Sequence, residues 1–375
     1  MIRFNKILFL AVITIISFSC TGVTIIADEH LTDINTDQST DSDLKDDTSP
    51  STETETETDS DTVTDTDLLC SGVPSTFSWT ASAEILSPPS DLVSIKDPTA
   101  VLYNNNWLVY ATTVSAANDY SMIQVGFADF NDADSAVKTA VNINDNLTGY
   151  KAAPQLFYFA PQKLWYLVYQ TSEPAYSTSS DPTDVLSWSP MTTFMPMPSL
   201  ITDKGSNGID YWIICDDTNC YMFFSALNDV LYRAKTTKDA FPGGFEGTTE
   251  IVMRDDPFTM YDACNVYKID GTDEYLLLVS AIDTKGRYFR SWTSKSLDGT
   301  WTALADTVDN SFASVNNVAG ADFASDGIGH GEILRTNPDE TMTIDPCNIN
   351  YLFSGLVKSI DNPDNEHYSI GLIQQ

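Results

Sequence analysis

The chain has 375 residues, 53 of them acidic and 19 basic, for a formal net charge of −34. A balance this acidic argues against a nucleic-acid backbone or an anionic membrane surface as the partner and leaves neutral polymers open. Aromatic residues make up 11% of the chain, enough for a packed core, so it is not disordered as a whole.

Residues 1–26 read as an export signal. Arg3 and Lys6 form a short basic region, and the run from Ile7 to Ile16 is almost wholly apolar. That run is too short to span the ~30 Å hydrocarbon core as an ordinary transmembrane helix. Cys20 follows Phe18-Ser19 and stands where a bacterial lipid-attachment cysteine would, although Ser17 takes the place of the usual Leu. Lipid attachment at Cys20 and simple cleavage both remain open. Residues 27–67 hold 15 acids against Lys45 alone. The stretch TETETETDSDTVTDTD has no apolar period and repels itself, so it cannot repay the entropy of ordering. It reads as a disordered linker. Export places the protein outside the cell, free or tethered to its surface.

Residues 68–375 read as one all-β domain. Short β-branched and aromatic runs alternate with Gly, Asp, Asn and Pro clusters, and no long 3.6-residue period appears. Five segments share a form, a turn, then Trp or Tyr, then an apolar run. They begin at Trp107, Trp165, Tyr221, Tyr275 and Tyr351, with spacings of 58, 56, 54 and 76 residues. Each period is too long for a single hairpin and suits a four-stranded sheet with its loops. Repetition of such sheets is how a propeller protects its strand edges, so the repeat predicts a five-bladed β-propeller.

Upstream of the first four aromatics, Asp97, Ala153, Asp210 and Asp262 occupy equivalent positions near the start of each blade's predicted innermost strand. Asp near a strand start is common turn chemistry. Three in one phase of a repeat would instead converge at one mouth of the propeller axis. Glycoside hydrolysis needs two carboxyl groups flanking a glycosidic bond, and a third can raise the acid's pKa by like-charge repulsion.

Several strings then become recognisable: SIKDPTAVLYNNNWLVYATT, YKAAPQLFYFAPQKLWYLVYQ, IDYWIICDDTNCYMFF, YFRSWTSKSLDGTWT and HGEILRTNPDETMTIDPCN. With the rest of the chain from about Cys70 onward, they closely resemble the arabinofuranosidases of glycoside hydrolase family 62. The resemblance implies a secreted five-bladed propeller that releases single L-arabinofuranose units from arabinoxylan with inversion. It makes Asp97 the general base and Asp210 the carboxylate that orients and tunes the acid. The acid is normally a Glu in a string like FEASNVYK; this chain has YDACNVYK, which puts Asp262 in that place. Glu332 in HGEIL is the nearest substitute in kind. The resemblance also implies substrate contacts from Lys96, Trp165, Arg290 and Tyr368. A blade-core Trp is the alternative for Trp165, and a surface ion pair for Arg290. Tyr368 is followed by Ser369 where the family usually has Asn. His330 stands where related propellers place a His beside an axial Ca2+, an ion that would be structural or electrostatic and not needed for the chemistry.

Of six cysteines, Cys215 and Cys220 flank the turn DDTN, Cys70 and Cys347 lie near the two ends of the domain, and Cys264 is left over. Pairing cannot be fixed from spacing. The expected enzyme is a monomeric, exo-acting α-L-arabinofuranosidase. The competing readings are a related five-bladed glycosidase on arabinan or xylosides, and a tethered arabinoxylan-binding propeller whose catalysis is weak or lost through the Glu-to-Asp change.

Overall fold

A computed structural model describes residue 70 and residues 72–358 and 366–375. The expected signal segment with Cys20 and the acidic linker lie outside the described residues. Those described fold as five β-sheets. Blade 1 runs Leu92–Tyr103, Asn106–Ser115, Tyr120–Phe127 and Lys138–Ala140, from the axis outward. Blade 2 is Ala152–Phe159, Leu164–Gln170, Pro174–Ser179 and Thr192–Thr193, and blade 3 is Ile209–Cys215, Asn219–Leu227, Val230–Thr237 and Glu250–Arg254. Blade 4 is Cys264–Ile269, Tyr275–Asp283, Gly286–Ser294 and Thr302–Ala305. The propeller read from the repeat is therefore present, and each repeated aromatic opens the second strand of its blade.

Blade 5 is built from both ends of the domain. Its strands Ile328–Ile333, Asn350–Lys358 and Glu366–Gln374 are joined by Trp79–Ala81, which pairs antiparallel with the last of them. Trp79 stacks on Phe77 and meets Phe312 edge-on, so the first described strand is locked by aromatic burial, about 1.5–3 kcal/mol per large side chain. A Cys70–Cys347 disulfide ties the same two ends, and Cys215–Cys220 closes the blade 3 hairpin. Cys264 is free and buried.

The long last spacing of the repeat has a structural cause. After blade 5's inner strand, residues 336–344 cross beneath the inner strands of three other blades. Tyr158 N–H donates to Pro338 O, Cys215 N–H to Glu340 O, and Lys268 N–H to Met342 O. Thr343–Ile344 pairs in parallel with blade 4's inner strand. This insertion closes the far end of the axis, so a ligand enters from the other mouth. Glu332 and Arg335 add a buried ion pair, with Arg335 Nη2 donating to Ala100 O and Leu156 O. That pair fastens blade 5 to blades 1 and 2.

Candidate active site

The open mouth is shaped by a repeated irregularity. The inner strands of blades 1, 2, 3 and 5 each break register there, between Lys96 and Thr99, Ala152 and Gln155, Ile209 and Trp212, and Ile328 and Gly331. Bulges of this kind re-aim a side chain out of the ladder. In the first three, Asp97, Ala153 and Asp210 sit in left-handed backbone, with φ of 53°, 49° and 55°. Asp tolerates this region better than most residues.

A freed N–H at a bulge needs a partner, and in blades 1, 2 and 3 the preceding blade provides it. Ser354 Oγ accepts from Asp97 N–H at 2.8 Å, Thr112 Oγ1 from Ala153 N–H at 2.7 Å, and Gln170 Oε1 from Asp210 N–H at 3.0 Å. Each acceptor lies three to five residues after its blade's repeated aromatic. In blade 5 the strands approach so closely that a Cβ on Gly331 would lie 2.0 Å from Leu352 O, which only glycine permits.

The bulges bring Asp97 and Asp210 into one pocket of about 320 Å³, joined by Asp262 from the loop before blade 4. Lys96, His330 and Tyr368 also line it, as do residues not anticipated from sequence: Tyr120, Tyr150, Gln170, Gly329, Ser354 and Arg287. The recurring polar position after each aromatic would have pointed to Gln170 and Ser354. Arg287 lies three residues before the arginine singled out by resemblance.

The polar contacts are specific. Asp97 Oδ2 is 3.9 Å from Lys96 Nζ, and Lys96 lies over the rings of Tyr120 and Tyr368. Tyr368 donates its hydroxyl to Glu366 at 3.0 Å. The Asp97 carboxylate raises the Lys96 ammonium well above its usual value against the opposing effect of burial, so the pocket keeps a fixed cation. Asp210 Oδ2 accepts from Ala263 N–H at 3.2 Å. Burial, with Asp262 and Asp97 adding to it and His330 opposing, pushes the Asp210 carboxyl up to about 6. Asp262 takes a 2.7 Å hydrogen-bonded ion pair from Arg287 Nη1. Burial alone would raise Asp262, but the Arg287 guanidinium outweighs it and holds the carboxyl below its usual range.

His330 Nδ1 stands 3.6 Å from Asp97 Oδ1 and 3.7 Å from Asp210 Oδ1. Ca2+ takes six to eight oxygen ligands at about 2.3–2.6 Å. Among the described residues no group of three or more His, Cys, Asp or Glu side chains is placed to hold a metal. A calcium ion beside His330 would thus be held by that one side chain and mostly by water.

The structure favours the alternative reading for Trp165 and for Arg290, and it removes Glu332 as a substitute acid. Trp165 is 4% exposed and packs against Tyr103 and Tyr158. It opens the strand whose other end, Gln170, reaches the pocket. Five residues of strand, about 17 Å, separate the two, so Trp165 is a blade-core residue and no sugar platform. Arg290 does not line the pocket; it pairs with Asp255 at 2.8 Å and Asp306 at 3.6 Å. Glu332 is 0% exposed and paired with Arg335, which removes it as a stand-in acid.

The chain matches the family described as Glycosyl hydrolase family 62 over residues 78–372. It is 40% identical over 302 residues to alpha-L-arabinofuranosidase C of Cellvibrio japonicus (strain Ueda107), a match covering 79% of this chain and 46% of that protein. The chain thus spans about half the length of that relative. The catalytic domain of a Coprinopsis cinerea family 62 alpha-L-arabinofuranosidase superposes with a TM-score of 0.77 at 41% identity, covering 81% of this chain and 98% of that one. A family 62 hydrolase solved in complex with xylotriose superposes with a TM-score of 0.76 at 38% identity, covering 82% and 99%. A match of this extent, on a five-bladed propeller with three carboxylates at its open mouth, makes the chain a member of glycosyl hydrolase family 62.

Proposed function

We propose that the chain is a secreted, exo-acting α-L-arabinofuranosidase that removes arabinofuranose side chains from arabinoxylan with inversion. The observation that carries this is the convergence of Asp97, Asp210 and Asp262, from three blades, on one pocket. Its volume is at the small end of ligand pockets, about 300–1,000 Å³. With the far end of the axis closed by residues 336–344, this suits one terminal sugar and a water better than a chain threading through. The arabinofuranosidase activity of its relatives and the xylotriose bound to one of them support the same substrate. The apolar run after Arg3 and Lys6 and the two disulfides fit export, with or without a lipid at Cys20. The protein acts as a monomer in this reading.

Asp97 removes a proton from water, whose oxygen bonds to C1 of the arabinose as the C1–O bond to xylose breaks on the opposite face. The xylose oxygen takes a proton from a carboxylic acid. Asp262 stands where the resemblance puts that acid, but its ion pair with Arg287 holds it ionised in the free protein, so it can carry the proton only if that pair is broken. The high pKa of Asp210 favours a second assignment, in which Asp210 holds the proton and Asp262 stays ionised. Lys96 and Tyr368 bind the sugar, and His330 sits between the two carboxylates of Asp97 and Asp210.

Proton NMR of the first product from wheat arabinoxylan tests the proposal. β-L-Arabinofuranose as the initial anomer is expected, with linear arabinan and xylobiose left intact. Retention, or faster release from arabinan or xylobiose, would remove the reading. Binding to arabinoxylan without any release would point instead to the carbohydrate-binding alternative.

A further inference from the structure

With Trp165 buried, the pocket needs another surface for the polymer that carries the arabinose. Phe258 is 64% exposed, among the most exposed large apolar side chains described. It belongs to residues 255–263, the loop that delivers Asp262. That loop runs beside the second strand of blade 4: Ser280 N–H donates to Ala263 O, Tyr261 N–H to Ser280 O, and Ile282 N–H to Phe258 O. The strand climbs toward the open mouth, and Ile282 faces the pocket residue Arg287 across the next strand. Phe258 therefore stands at the rim, about two residues of rise, roughly 7 Å, beyond the level of Asp262.

Arg290 pins this loop. Its Nη1 donates to Asp255 Oδ2 at 2.8 Å and to Thr259 O at 2.6 Å, while its Nε donates to Asp306 O. Asp256 Oδ1 accepts from Phe258 N–H at 2.9 Å. The backbone that carries the exposed ring is thus held in place. At the rim of blade 2, Tyr150 is 48% exposed, and its hydroxyl accepts from Gln170.

We infer that Phe258 is a stacking platform for a xylopyranose unit of the polymer backbone adjoining the pocket. The inference rests on arabinoxylan being the substrate. A pyranose presents an apolar C–H face while its hydroxyls stay in water, which suits a Phe ring that has no polar atom to satisfy. A neutral chain also meets no repulsion from the acidic surface.

The test compares Phe258→Ala and Phe258→Trp with the parent on arabinoxylan and on an aryl α-L-arabinofuranoside, which fills the arabinose pocket alone. Phe258→Ala should lose about tenfold more kcat/KM on the polymer than on the aryl glycoside, through KM, and Phe258→Trp should restore it. Equal losses on both substrates, or none on the polymer, would overturn the inference. Affinity electrophoresis in arabinoxylan gels, in an Asp97→Asn background, separates this from the catalytic reading. Retardation lost in Phe258→Ala and kept in Phe258→Trp supports the platform even if no arabinoside is hydrolysed. Unchanged retardation, or none in the Asp97→Asn parent, overturns it.

Discussion

Ser354 tests whether the bulge chemistry positions the base. Its hydroxyl accepts from Asp97 N–H at 2.8 Å and donates to His330 O at 2.7 Å, so one Oγ holds two pocket residues from neighbouring blades. Asp97 is buried and in left-handed backbone. Removing the hydroxyl leaves its N–H unsatisfied, a cost of about 1–3 kcal/mol, and the unsupported bulge can relax. A displacement of ~1 Å at a reacting group costs on the order of a hundredfold in rate. Ser354→Ala is therefore expected to lower kcat on arabinoxylan by roughly ten- to a hundredfold, with a modest fall in thermal midpoint. Ser354→Thr, which keeps the hydroxyl, should recover most of the rate. Kinetics and thermal unfolding of the two variants check this. A Ser354→Ala enzyme with parental kcat would refute the claim that this bond sets the base, and a Thr variant as slow as Ala would assign the effect to packing.

Asp97→Asn should abolish turnover while arabinoxylan binding in affinity gels persists, because an amide cannot take the proton of water. Asp210 has its carboxyl raised from 3.8 to about 6, so its contribution to stability is present below about pH 4 and lost as pH rises through about 6. Asp210→Asn should remove that loss, gaining on the order of 2–3 kcal/mol relative to the parent between pH 4 and pH 7; parallel unfolding slopes in the two proteins across this range would contradict it. Asp262→Ala should lose about a hundredfold or more on arabinoxylan yet much less on an aryl arabinoside with an activated leaving group, which needs little protonation. Equal losses on both substrates would move the acid to Asp210.

Much of this protein is legible in its sequence because a propeller is a local repeat. Trp107, Trp165, Tyr221, Tyr275 and Tyr351 recur because each blade buries the same ring at the start of its second strand. The phase of Asp97 and Asp210 follows from that register, since whatever stands at one height of an inner strand faces the same mouth in every blade, and Asp262 reaches that mouth from the loop just before blade 4's inner strand. What lies across blades was not legible. Trp165 and Arg290 carry residue types that suit a sugar site, but strand direction puts Trp165 at the far end of blade 2, and Arg290 turns to Asp255 and Asp306. The aim of Asp97 depends on a hydroxyl 257 residues away, and the charge of Asp262 on an arginine 25 residues downstream. Composition and spacing select the residue types. Only the closed ring, which sets blade 5 against blade 1 and folds residues 336–344 under the axis, decides which of them meet and which carboxyls hold a proton.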